Sequence, residues 1–120
     1  MMDTQESRLT VAVEDGIARV RLLDRNILDE AAITQIGQQI GEMIERSSNP
    51  RLLLDFQDVE HLSSAALGAL ITINNKIKQK GGQLRLTSIA EQIYEVFVIT
   101  KLNQLFKIYD DADEALASFS

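Results

Sequence analysis

Three consecutive leucines, Leu52-Leu53-Leu54, constrain this chain more than any other stretch. Successive residues of a strand point to opposite faces. An unbroken apolar run can therefore be a strand only where both faces are covered. Asn49-Pro50 closes what precedes it, so Arg51–Phe56 reads as a central strand between two layers. The covering layers are legible as helices. Asp29–Arg46 carries Ile33, Ile36, Ile40, Met43 and Ile44 at helical spacing, with Asp29 or Thr34 near its start. A second helix is expected from about Ser63 to Lys80, stopped by Gly81-Gly82. Ala90–Thr100 reads as a third helix with Ile93, Val96 and Phe97 inward. Ala112–Phe119 reads as a fourth, with Ala115, Leu116 and Phe119 inward. Gln83–Thr87 and Phe106–Tyr109 read as further strands.

The chain opens with two β-rich runs, Arg8–Val13 and Ile17–Leu22, around Glu14-Asp15-Gly16. The Asp-Gly step is a strong hairpin signal. The fold class is α/β: a mixed β-sheet opened by an antiparallel hairpin, with about four helices. With 120 residues, one proline and six glycines, one domain over residues 8–120 is expected, preceded by a flexible polar tail, 1–7. A phospho-receiver domain has a similar length, and Glu14, Asp15, Asp55 and Lys101 mimic its acidic residues and lysine. A receiver requires strict βα alternation, which the opening hairpin breaks.

Charge narrows the partners. The chain has 12 basic and 18 acidic residues, a net charge of -6. Nucleic acid backbones and anionic membrane surfaces both need a basic patch, so neither is an expected partner. Neither a secretory leader nor an apolar run of membrane-spanning length is read, and cytoplasm is the expected compartment. There are no cysteines, hence no disulfides or thiolate metal sites.

The start of the second helix carries the most functional information. Ser63 and Ser64 are adjacent candidates for its cap. With Ser63 as N-cap, Leu62 and Leu67 occupy the positions of a hydrophobic staple; with Ser64 as cap no staple forms. Ser63 is thus the better cap, and the hydroxyl of Ser64 stays free. Projected at about 100° per residue, Ala66, Leu70, Ile73 and Ile77 cluster with Leu67 toward the core. Ser64, Gly68, Thr72 and Asn75 fall on the opposite side, with Ala65 and Ala69 at its edge. Such a small, polar face lets another protein approach closely. Phosphate on Ser64 would place about two negative charges there, at a helix end that favours them.

At these residues the chain resembles the STAS domain family, named for sulfate transporters and anti-sigma factor antagonists. The family's Asp-Ser-Ser-Gly-Leu-Gly signature is matched around Ser63-Ser64-Ala65-Ala66-Leu67-Gly68. Leu54-Asp55-Phe56 with Val59, Gly81-Gly82 with Leu84-Leu86, and Leu105-Phe106-Lys107-Ile108-Tyr109 extend the similarity from about Leu9 to Phe119. The resemblance implies a stand-alone bacterial anti-sigma factor antagonist. Its partners would be an anti-sigma factor serine kinase of the histidine-kinase-like ATPase fold and a cognate phosphatase. The implied phospho-acceptor is Ser64, with Ser63 as the fallback. Asp29, Ser63, Ser64, Ala65, Gly68, Thr72 and Asn75 are the expected partner-binding residues. Two positions depart from the signature: Ser63 replaces its aspartate and Ala66 its glycine. The stretch before the first helix, Asn26-Ile27-Leu28-Asp29, keeps only the final aspartate of the family pattern.

No catalytic activity is expected. The lone His61 lies in a turn without a nucleophile beside it. Asp55, Asp58 and Glu60 have the chemistry to hold a hard cation, but read as a solvated acidic turn. No cofactor and no metal are expected, and the chain is read as a monomer or weak dimer. A non-phosphorylated STAS scaffold in a signalling or transport-regulating assembly is the alternative; an enzyme or small-ligand binder lacks a polar constellation to support it.

Overall fold

The computed structural model describes residues 8–119; the expected tail at 1–7 lies outside them. Strand β1 (Leu9–Glu14) turns through Asp15 and Gly16 into β2 (Ile17–Leu22). Both turn residues have positive φ, 51° and 78°, the backbone of a two-residue type I′ hairpin. After β3 (Asn26–Ile27) come α1 (Glu30–Glu45), β4 (Arg51–Asp55), β5 (His61–Leu62) and α2 (Ser64–Gln79). Then follow β6 (Gln83–Thr87), α3 (Glu91–Ile99), a 3₁₀ turn at Leu102–Gln104, β7 (Lys107–Tyr109) and α4 (Ala112–Ala117).

The main sheet runs β1-β2-β4-β6-β7. β1 and β2 are antiparallel, and every later neighbour pairs in parallel. β4 is central, as its leucines require. Leu52 and Leu54 join the main core with Ile36, Ile40 and Ile44 of α1 and Leu70, Ile73 and Ile77 of α2. Leu53 points to the other face, against Ile17 and Ala115 of α4. The two layers therefore share one apolar strand.

Three local expectations need correction. His61 is not in a turn: β5 pairs in parallel with β3, Asn26 against His61 and Ile27 against Leu62. Val96 is not inward but 40% exposed, while Ile93 and Phe97 are buried. Leu116 and Phe119 do turn inward, packed against the smaller core. The acidic stretch is not merely solvated. The Asp55 side chain is 2% exposed and lies 3.4 Å from Arg19, and its Oδ1 accepts the Gln57 N–H at 2.9 Å. Asp58 accepts two hydrogen bonds from Arg21, and Glu60 pairs with Arg25. These carboxylates answer arginines of β2 and the following loop.

α2 ends in a Schellman motif. Gly82 N–H donates to Ile77 O at 2.9 Å and Gly81 N–H to Lys78 O at 3.0 Å, with Gly81 at φ +71°. This closes the orphan carbonyls of the helix. A side chain at Gly82 would run into the carbonyl oxygen of Pro50, with its Cδ at 2.9 Å. Among the described residues, no helix is long and apolar enough to cross a membrane.

Candidate partner-binding face

The β3–β5 pair organises the site. Each strand runs directly into a helix, β3 into α1 and β5 into α2. Their parallel register sets Asn26 against His61 and Ile27 against Leu62, so both strands deliver their helices from the same end. Ser63 N–H donates to Ile27 O at 3.1 Å, tying the two helix starts together. The structure thus brings Asp29, Ser63 and Ser64 to one end of the domain, from positions more than thirty residues apart in sequence.

The two starts are capped differently. Asp29 is the N-cap of α1, and its Oδ1 accepts the Ala32 N–H at 3.2 Å. Ser63 is the N-cap of α2, extended at φ -82° and ψ 167°, and its Oγ accepts the Ala66 N–H at 3.1 Å. Leu62 and Leu67, the staple pair, line one cleft. Ser64 is exposed as the first helical residue. Its hydroxyl makes no hydrogen bond among the described residues. α1 begins with two acidic groups, Asp29 and Glu30. α2 has none in its first turn, so the positive end of its dipole is uncompensated.

The surface continues along α2. Ser64, Ala65, Gly68, Thr72 and Asn75 are all exposed. Asn75 lies about 16 Å along the axis from Ser64 at 1.5 Å per residue. Thr72 Oγ1 donates to Gly68 O at 3.2 Å, folding its hydroxyl onto the helix. That removes a solvent-facing donor from the middle of the face. A Cβ at Gly68 would meet nothing within 4 Å, so the missing side chain answers no contact inside the domain.

The sequence reading assigned no surface role to several further residues around this face. Leu28 is 54% exposed next to Asp29. A cleft between α2 and α3 is lined by His61, Leu62, Leu67, Gln92, Ile93 and Val96. Val96 is the signal for it: an apolar residue three positions from buried Ile93 that nonetheless stays exposed. Asn74, beside Asn75, is buried, with no partner for its Nδ2; the helical projection places it beside Ile73 and Ile77. No group of three His, Cys, Asp or Glu residues suited to a metal occurs among the described residues.

Comparison with known families agrees with this architecture. The STAS domain profile matches residues 8–115. The chain belongs to the STAS domain family. A relative from Thermotoga neapolitana, provisionally named an anti-sigma factor antagonist, is 36% identical over 75 residues. That stretch covers 62% of this chain and 66% of the relative, just under two-thirds of its length. A solved structure from Thermotoga maritima, also provisionally named an anti-sigma factor antagonist, superposes with a TM-score of 0.81 at 25% identity. It covers 92% of this chain and 93% of the other. The Bacillus cell fate determinant SpoIIAA, solved in its phosphorylated form, shares the fold with a TM-score of 0.69 at 16% identity, over 91% of this STAS chain and 96% of that one.

Proposed function

We propose that this STAS domain is an anti-sigma factor antagonist acting in the cytoplasm. It binds its anti-sigma factor through the face that starts at Asp29, Ser63 and Ser64 and continues over Ala65, Gly68, Thr72 and Asn75. In this reading the anti-sigma factor is also a serine kinase. The γ-phosphoryl group of ATP passes to Ser64 Oγ, ADP leaves, and the hydroxyl proton is released. A phosphatase returns the chain to its binding form.

One observation carries the reading. Ser63 Oγ is committed to the Ala66 amide at 3.1 Å, whereas Ser64 is exposed on an uncompensated helix start. Phosphate on Ser64 therefore breaks no internal bond. It adds about two negative charges to an exposed face, where a docked partner loses fit and meets repulsion. The names of the relatives support the anti-sigma factor antagonist role; the choice of Ser64 rests on the geometry of the helix start.

The test is phosphate transfer followed by site mapping. The chain is incubated with the anti-sigma factor kinase of its own genome and ATP, and phosphopeptides are located by mass spectrometry. Phosphate at Ser64, and loss of kinase binding in Ser64→Asp, are expected. Stable binding that survives Ser64→Asp, with both serines unmodified, would establish the non-switched scaffold instead.

A further inference from the structure

The two edges of the main sheet are treated differently. β7, at one edge, has three residues and begins with an exposed lysine, Lys107. Short length and lysine are the usual protections of an edge against pairing. β1, at the other edge, is six residues long and pairs with β2 without a bulge. It has no proline or lysine, and its last five residues are exposed. Val11 is 45% and Val13 70% exposed.

The hairpin register shows which backbone groups face outward. Leu23 N–H donates to Arg8 O at 3.0 Å, so the Arg8–Leu23 pair is a hydrogen-bonded one. Antiparallel pairs alternate, and in this register Thr10, Ala12 and Glu14 turn their amides toward β2. Val11 and Val13 turn theirs away, and among the described residues no strand lies beyond β1.

We propose that β1 is the dimerisation edge of this protein, pairing antiparallel with β1 of a second copy about a two-fold axis at Ala12. The sequence is complementary to itself in that register. Val11 of each copy opposes Val13 of the other, so the two exposed valines cover each other. Their outward N–H and C=O groups form about four hydrogen bonds between the copies. Ala12 opposes Ala12 at a close, non-hydrogen-bonded position, where a small side chain fits. Thr10 opposes Glu14, and no like charges meet. A partner strand of unrelated sequence would satisfy the backbone but not this matched pattern. The pairing yields one continuous sheet. It leaves α2, which packs over β4 and β6, uncovered, so the dimer presents two copies of the Ser64 face.

Sedimentation equilibrium of the full chain over a concentration series tests this. The wild type is expected to form a dimer that dissociates on dilution. Ala12→Lys and Ala12→Glu each place like charges on the axis and are expected to weaken the dimer about tenfold or more. Mixing the two variants in equal amounts is expected to restore it, since Lys then opposes Glu. Far-UV circular dichroism and thermal unfolding confirm that both variants are folded. A wild type that stays monomeric at about 1 mM would overturn the proposal. So would dimers unaffected by either charge, or folded variants whose mixture fails to re-associate.

Discussion

Gly68→Ala separates the needs of the fold from those of the partner. Gly68 sits in the second turn of α2, exposed, with open space where a Cβ would be. Glycine in a helix interior is less favourable than alanine by about 0.8–1.0 kcal/mol, because its backbone is more free when unfolded. The substitution removes no hydrogen bond: the Gly68 carbonyl that accepts from Thr72 Oγ1 is retained. Stability should therefore rise by about 0.5–1 kcal/mol, or roughly 2–4 °C in Tm for a domain of this size. Urea unfolding with an unchanged m-value would show it. Anti-sigma factor binding, measured by calorimetry, should fall by about tenfold, since the methyl holds the partner's backbone away from the helix. A destabilised variant would refute the packing argument. A stabilised variant that binds as tightly as the wild type would refute the placement of the partner on this face.

The two serines should separate in stability assays. Ser63→Ala loses the N-cap bond to Ala66 and should cost about 1 kcal/mol in urea unfolding, whereas Ser64→Ala should stay within about 0.5 kcal/mol of wild type. Gly82→Ala forces a methyl against the Pro50 carbonyl and should cost about 2 kcal/mol or more, in contrast to Gly68→Ala; an equal response at both glycines would contradict the geometry. Ser63→Asp keeps a cap but adds a negative charge at the α2 terminus, and should stabilise the unmodified chain by about 0.3–1 kcal/mol. The same change should lower the Tm of the Ser64-phosphorylated chain relative to its unmodified form, which comparative calorimetry would read.

The sequence showed those features whose cause is local. The Asp-Gly turn, the apolar run of β4, the Ser63 cap and the Gly81-Gly82 stop each depend on neighbours in sequence, and each forms. The exposed face of α2 follows from helical periodicity alone. What stayed hidden depends on residues far apart. The β3–β5 pair is two residues long on each side, too short for any period to register, yet it ties the starts of α1 and α2 together. Asp55 looks like one more acidic turn residue until β2 is laid beside β4 and Arg19 comes within reach. Val96 has the spacing of a buried residue, but α3 is short and its flank opens onto the cleft at His61. Asn74 sits on the core side of α2, where a polar residue is unexpected.

The replacement of the family aspartate by Ser63 bears directly on how a phosphate would act. An aspartate cap holds the same backbone amide but also neutralises the helix end. Serine holds the amide and leaves the dipole exposed to whatever charge arrives next. In this chain the next charge would be the phosphate on Ser64, one residue along, where no side-chain bond has to be given up. The neighbouring helix start is already supplied with Asp29 and Glu30, so the added charge is answered by α2 rather than α1. On the proposed reading, a phosphorylated domain would keep its fold at both helix starts. The consequence of modification would fall on the surface: a face suited to close contact would become one that repels an approaching acidic or apolar partner. Release would then require no rearrangement of the core, only the altered electrostatics of one exposed hydroxyl.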